Sequence, residues 1–233
     1  MNIAIIFAGG TGQRMGTEIP KQFLKIDRKP IIIHTIEKFE KNENIDAIII
    51  SCLETWIPKL EKLVKQYNIK KVKSIIPGGE TGQLSIFNGI NTAYKMFPKE
   101  SIVLIHDGVR PFIDNNLINE NIKITKEKGS AISCVKSTET FTIINENMDI
   151  IKIPERSESL VAKAPQTFIL DDIYNAHLKA MKEEKYNFID SCTLMDHYNY
   201  HLTVVLTDYD NIKITTPKDI FLAKSIYNRR KND

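Results

Sequence analysis

IAIIFAGGTGQRMGTEIPKQFL, residues 3–24, is the stretch on which the reading of this chain turns. Ile3, Ala4, Ile5, Ile6 and Phe7 make an unbroken apolar run of the kind required by a strand buried on both faces. The run breaks into Ala8, Gly9, Gly10 and then Gly12, where the missing side chains let backbone N–H groups close on a phosphate. Arg14 and Lys21 follow with their charges. A strand, a glycine turn and two cations together suit a nucleoside triphosphate. Two familiar phosphate loops do not fit. A P-loop lysine follows its last glycine directly, whereas Gln13 and Arg14 follow Gly12, and Gly9, Gly10 and Gly12 lack the G-x-G-x-x-G spacing of a dinucleotide turn. A plain strand-to-loop turn with surface cations is the alternative that this segment alone leaves open.

Moving outward, apolar runs recur at 47–50, 72–76 and 102–105, separated by segments whose apolar residues fall at helical spacing. Ile32, Ile36 and Phe39 follow Pro30; Trp56, Leu60 and Leu63 form a second set; Ile86, Ile90 and Ala93 form a third, in a helix from about residue 85. Such alternation predicts an α/β fold with a doubly wound, mostly parallel, Rossmann-like sheet. Ligands of such sheets bind beyond the carboxyl ends of the strands, where Gly9 to Gly12, Gly78-Gly79 and Asp107 fall.

The second half begins with a helix over 117–128 ended by Gly129 and a strand through Ile132 and Cys134. Residues 138–153 then read as a hairpin, with Phe141, Ile143 and Ile144 before Asn145-Glu146-Asn147 and Ile150, Ile151 and Ile153 after it. An isolated apolar hairpin is marginal in water, so a covering partner is expected, most simply a second copy of the chain; folding back on its own domain is the alternative. The chain closes with a helix over 173–181, a short helix over 193–197, a strand at 204–205, an apolar strand over 211–215 carrying Lys213, and a helix started by Pro217. One domain over 1–233 with a protruding arm over about 138–160 is the expected division.

Composition narrows the function. With 32 basic and 29 acidic residues among 233, the net charge of +3 gives no field suited to nucleic acid. The three cysteines, Cys52, Cys134 and Cys192, form no CxxC pair and suit a reducing compartment. No apolar run reaches the roughly 18 residues of a membrane span, and the first residues lack a signal-peptide layout, so the cytoplasm is expected. No H-E-x-x-H or G-x-S-x-G motif occurs, and His197 and His201 make no convincing metal pair.

Two further features bear on chemistry. His106-Asp107-Gly108-Val109-Arg110-Pro111 follows the fourth run; its carboxylate could hold Mg²⁺, which takes one or two protein oxygens and completes its shell with phosphates and water. Arg110 could pair with Asp107 or with a phosphate, and a purely structural ion pair is the alternative. Lys213, between Ile212 and Ile214, could join Arg14 and Lys21 around a phosphate, or be a snorkelling surface lysine.

AGGTGQRMG with PKQFL, then PIIIHTI, a Gly-Gly with a downstream Ser-Ile-x-Asn-Gly, HDGVRPF, APQTF and NIKITTP, together resemble the CDP-alcohol-forming cytidylyltransferases, a family with ribitol-5-phosphate and 2-C-methyl-D-erythritol 4-phosphate branches. The similarity runs nearly the whole chain in order. It implies a Rossmann-like domain with a dimerising β-arm, and transfer of CMP from CTP to a small phosphorylated acceptor with release of pyrophosphate. It further implies that Ala8, Gly9, Gly10, Gly12, Gly78 and Ser85 line the cytidine side, that Arg14, Lys21 and Lys213 surround the triphosphate as catalytic cations, and that Asp107 positions Mg²⁺. Arg110, Thr140 and Arg156 match acceptor-site residues, the last two on the arm and delivered to a neighbouring subunit.

Departures from the pattern cluster on the acceptor. Gly82 stands where the family usually has arginine, Ala164 replaces the threonine of Thr-Pro-Gln, and Ile189 replaces a threonine. The AGG turn and NIKITTP resemble the ribitol-phosphate branch more than the other, which suggests a surface-polysaccharide precursor. The methylerythritol branch, a non-catalytic nucleotide-binding relative and a UTP-dependent sugar pyrophosphorylase remain the alternatives.

Overall fold

The structure, a computed structural model, describes residues 1–10 and 19–232. In chain order its elements are β1 (Asn2–Ala8), β2 (Lys25–Ile26), β3 (Lys29–Pro30), α1 (Ile31–Lys41), β4 (Ala47–Cys52), α2 (Ile57–Gln66), β5 (Val72–Pro77), α3 (Gly82–Met96) and β6 (Ile102–Asp107). There follow α4 (Asn115–Lys128), β7 (Ser130–Lys136), β8 (Ile143–Ile144), β9 (Ile150–Lys152), β10 (Leu160–Ile169), α5 (Leu170–Lys182), α6 (Ser191–His197), β11 (Val204–Leu206) and α7 (Pro217–Asn232).

Seven strands form one mixed sheet in the order β11-β7-β10-β6-β1-β4-β5. Adjacent strands are parallel except where β10 runs antiparallel to both β6 and β7. The apolar run of β1 sits at the interior because it alternates between two cores. Ala4 and Ile6 join Ile48, Ile50 and Leu104 on one face, while Ile3 and Ile5 join Ile49, Val103 and Ile105 on the other. Helices cover both faces: α1, α2 and α4 supply Ile36, Leu60 and Ile118 to the first core, and α3, α5 and α6 supply Ile90, Ile173 and Leu194 to the second. Each such side chain contributes about 1.5–3 kcal/mol on burial. Gly89 sets how closely α3 lies on the sheet, since a Cβ there would stand 2.5 Å from Ile5 Cγ2. A third core joins α7 to the β2–β3 hairpin through Ile26, Val109, Ile214 and Ala223.

Element ends follow local chemistry. Thr81 caps α3 by accepting the Leu84 N–H at 3.1 Å, which starts the helix three residues before the position the apolar spacing predicts. Asp114 caps α4 in the same way, and Gly129 ends it at φ 86°.

Three features go beyond or against the sequence expectations. Residues 160–169 form β10, an inner strand of the sheet, although Pro165 in the middle of the run argues against one. The pairing with β7 shifts register between Ala162 and Gln166, and pairing with β6 begins only at Gln166, so the proline lies in the irregularity and removes no ladder donor. Residues 211–215 are extended but join no sheet; the Ile214 N–H donates to Val109 O at 3.0 Å, anchoring the segment beside β6. The arm carries strands of only two and three residues, and Arg156–Glu158 is a 3-10 turn.

Candidate active site

The parallel pairing brings four strand ends to one edge. Phe7 is in register with Asp107, Ala8 with Cys52, and Cys52 with Pro77. The loops that leave these strands therefore meet. The Gly78 N–H donates to Cys52 O at 2.7 Å and the Gly108 N–H to Phe7 O at 3.0 Å. The second loop turns into α3 tightly enough to require glycine: a Cβ on Gly79 would stand 2.4 Å from Leu84 Cβ and 2.8 Å from the Leu84 carbonyl carbon. Gly10 faces open space instead. Ser85 ties the second loop to α3, its Oγ accepting the Gly79 N–H at 2.9 Å and donating to Thr81 O at 2.9 Å.

Gln22 supports the cavity wall, and the sequence reading did not single it out. Fully buried, its Nε2 donates to Ala8 O at 2.7 Å and to Gly10 O at 3.2 Å, which fixes the course of the first glycine turn. Its 3-10 turn, Lys21–Phe23, is seated by Phe23 stacking on Trp56 with ring centroids 4.5 Å apart. The turn brings Lys21 to the cavity wall. Only the polar residue beside an aromatic anchor hinted at this in the sequence.

A charge cluster lies at the end of β6. Asp107 Oδ2 accepts from Arg110 Nε at 2.8 Å and Asp107 Oδ1 lies 2.5 Å from Lys213 Nζ. Burial opposes the carboxylate charge, but the two cations outweigh it and hold the Asp107 pKa down to about 2. Arg110 is itself fixed by a 2.9 Å bond from Nη1 to the Asn211 carbonyl, and Asn211 Nδ2 donates to Ala164 O at 2.6 Å. Beneath them, His106 is fully buried; burial pushes its pKa down to about 4, and its Nε2 donates to Arg110 O at 3.0 Å.

Two cavities meet at this cluster. The first, about 330 Å³, is lined by Ala8, Gly9, Gly10, Lys21, Gln22, Gly79 and Ser85. The second, about 300 Å³, is lined by Arg110, Lys163, Ala164, Gln166, Ile189 and Asp190. Phe7, Gly82, Asp107 and Lys213 belong to both linings and form the shared wall. The arrangement can hold two anionic groups side by side with a buried carboxylate and a lysine between them.

The residues singled out in the sequence thus separate cleanly. Ala8, Gly9, Gly10, Lys21, Ser85, Asp107 and Lys213 line the first cavity, while Gly78 packs directly behind it with its Cα near Gly9. Arg110 faces the second. Thr140 and Arg156 are brought together on the exposed arm, where Arg156 Nη2 donates to Thr140 Oγ1 at 3.0 Å, and they line neither cavity of this chain. Gly12 and Arg14 lie outside the described residues. Gly82 leaves open space where a side chain would stand, Ala164 adds no hydroxyl, and Ile189 lies 88% exposed at the rim. Among the described residues no group of three or more His, Cys, Asp or Glu could hold a metal, so any ion here would depend on Asp107 and on ligand oxygens. Burial pushes the Cys52 thiol up to about 11 and the Cys192 thiol to about 12, which removes them as nucleophiles at neutral pH. No helix among the described residues is long and apolar enough to cross a membrane.

Comparison with known proteins agrees with this geometry. The family model described as "IspD: 2-C-methyl-D-erythritol 4-phosphate cytidylyltransferase" matches residues 2–229. The chain is 50% identical to a ribitol-5-phosphate cytidylyltransferase of Vibrio parahaemolyticus, covering 100% of this chain and 98% of the relative. It is 40% identical to a 2-C-methyl-D-erythritol 4-phosphate cytidylyltransferase of Clostridioides difficile, covering 100% and 96%. Among solved structures, the 4-diphosphocytidyl-2C-methyl-D-erythritol synthase of Anaerococcus prevotii superposes with a TM-score of 0.85 at 27% identity, over 97% of this chain and 96% of that one. With the sheet order, the paired cavities and the match along nearly its full length in hand, the chain belongs to the IspD family of cytidylyltransferases, which are nucleotidyltransferases.

Proposed function

We propose that this chain transfers CMP from CTP to the phosphate of ribitol 5-phosphate, releasing pyrophosphate, in the cytoplasmic supply of a surface-polysaccharide precursor. The observation that carries the reading is the pair of cavities sharing Asp107 and Lys213, one built from glycine loops and Lys21, the other facing Arg110. The choice of acceptor is supported by 50% identity to a ribitol-5-phosphate enzyme against 40% to a methylerythritol-phosphate enzyme.

The chemistry follows from charge. An acceptor phosphate is already mostly dianionic near neutral pH, since its second pKa is about 6, and needs no general base to attack. Its oxygen bonds to the α-phosphorus of CTP in line as the bond to the pyrophosphate oxygen breaks, and the electron pair leaves with pyrophosphate. The protein must hold two mutually repelling anions in alignment and stabilise charge that accumulates on the transferring group. Lys21 and Lys213 are suited to that, and Arg14 joins them in this reading. Gln22 and Ser85 hold the backbone that receives the nucleotide.

Asp107 fits a Mg²⁺ ligand in one respect: it is a buried carboxylate at the edge of the nucleotide cavity whose two oxygens each have a lone pair beyond the bonds from Arg110 and Lys213. When bound, the ion would offset phosphate charge as a Lewis acid. The arm over 138–160, with Phe141, Ile143, Ile150, Ile151 and Ile153 exposed, is best satisfied by a second copy, and Thr140 and Arg156 then serve the neighbour's acceptor site. Each chain on this reading is one catalytic unit.

Pyrophosphate release with CTP, UTP, ATP or GTP, each offered with ribitol 5-phosphate or 2-C-methyl-D-erythritol 4-phosphate, tests the proposal. Release with CTP and ribitol 5-phosphate is expected. Preference for UTP, or CTP binding without release on any acceptor, would point instead to a sugar pyrophosphorylase or a binding relative.

A further inference from the structure

The acceptor-side cavity contains a lysine whose side chain makes no salt bridge among the described residues. Lys163, on β10, is half-buried and lines that cavity beside Arg110 and Lys213. Those two share Asp107, at 2.8 and 2.5 Å. The other carboxylate in the lining, Asp190, is also engaged: Oδ1 accepts the Thr193 N–H at the start of α6 at 2.8 Å, and Oδ2 accepts Gln166 Nε2 at 2.9 Å. The Lys163 ammonium has neither a hydrogen bond nor a carboxylate partner among the described residues. Burial first, and then the neighbouring Arg110 charge, push its pKa below the ordinary lysine value. Holding an unpaired ammonium half out of water beside a like charge is unfavourable unless an anion joins them.

Position decides which anion. Lys163 and Arg110 line the second cavity and not the first, so they stand beyond the shared wall from the nucleotide. The facing wall offers no side chain to hold a phosphate at Gly82, where a Cβ would meet no atom within 4 Å. On this arrangement, which rests on the cytidylyl-transfer reading above, we infer that Lys163 is a specificity-determining residue that binds the acceptor's phosphate from the β10 wall, together with Arg110. A lysine there acts as a compact charge with three donors on the oxygens that do not attack. It holds the phosphate equally before and during reaction, so its loss weakens acceptor binding without slowing the bound complex.

Steady-state kinetics of the full chain with CTP and ribitol 5-phosphate or 2-C-methyl-D-erythritol 4-phosphate, whichever the wild type uses, tests this. Lys163→Met is expected to raise the acceptor KM about tenfold or more, as for loss of a charged hydrogen-bond donor, while kcat and the CTP KM stay within about twofold. Lys163→Arg should keep the acceptor KM near wild type. Adding Gly82→Arg to Lys163→Met should recover part of the loss, a rescue that a merely structural lysine would not show. An unchanged acceptor KM in Lys163→Met, or acceptor and CTP KM values rising together, overturns the inference while leaving the reaction in place. A wild type that releases no pyrophosphate with either acceptor removes the functional reading and this inference with it.

Discussion

The two cavities that meet at Asp107 are built from different materials. The first cavity, the nucleotide side on the proposed reading, is largely main chain: two glycine loops at strand ends, pinned by Gln22 and Ser85, with Lys21 in its wall. The second, the acceptor side on that reading, is largely side chain, with Arg110, Lys163, Gln166, Ile189 and Asp190 drawn from three separate parts of the chain. A site made of backbone keeps its shape as long as the glycines and the sheet register persist. One made of side chains changes its ligand with each substitution, in keeping with Ala164 and Ile189 lining the second cavity and Gly82 lying on the wall common to both.

This contrast predicts distinct kinetic signatures. Lys21→Ala should have the largest effect, lowering kcat on the order of a hundredfold or more with a smaller change in either KM, because the charge is needed most as negative charge accumulates. Wild-type turnover in single-turnover assays of that variant would remove Lys21 from the mechanism. Gly79→Ala should raise the CTP KM by roughly tenfold and leave the acceptor KM alone, since the new Cβ must displace the backbone of Leu84. If both KM values moved equally, the two cavities would not be independent.

A subtler test concerns the arm. Ile151→Lys should shift the chain toward a slower-sedimenting monomer and raise the acceptor KM severalfold, without altering CTP binding, if Thr140 and Arg156 act across subunits. Unchanged sedimentation and acceptor KM would leave the hairpin without that role.

The smallest effect is on the fold and reads outside both cavities. Burial pushes His177, whose ring nitrogens have no hydrogen-bond partner, down from an ordinary 6.5 to about 4. Between those values the unfolded chain carries a proton that the folded chain excludes, so stability falls as pH drops from 6.5 toward 4, by about 3 kcal/mol at most from this group. His177→Leu should flatten the pH dependence of the thermal midpoint in that window while CTP and acceptor KM values at neutral pH stay unchanged. An equally steep profile in the variant would assign the acid sensitivity to His106 and the remaining groups.

Legibility in the sequence followed the same division. β1, β4 and β6 were readable because a strand covered on both faces needs an unbroken apolar run, and their carboxyl ends located Gly9, Gly10 and Asp107. β10 was not, because Pro165 interrupts it and Leu160 and Val161 at its start are exposed. The Ile212-Lys213-Ile214 alternation looked like a strand, yet alternation reports only that neighbouring side chains face opposite ways; here Ile214 is buried against α7 while the segment pairs with no strand. Lys213 lines both cavities, as the charge argument expects, but lies outside the sheet, against the strand expectation. Gln22 and Lys163 escaped notice because their roles depend on distant partners, the Ala8 carbonyl and the Arg110 charge, that no local pattern encodes.

The account stands most directly on one competition. With CTP limiting, ribitol 5-phosphate and 2-C-methyl-D-erythritol 4-phosphate are offered together in equal amounts, and the two CDP-alcohol products are resolved by mass spectrometry, so that their ratio gives the ratio of kcat/KM values. CDP-ribitol in excess by about tenfold or more is the result expected from the altered acceptor lining. Equal amounts, or a predominance of the methylerythritol product, would contradict it.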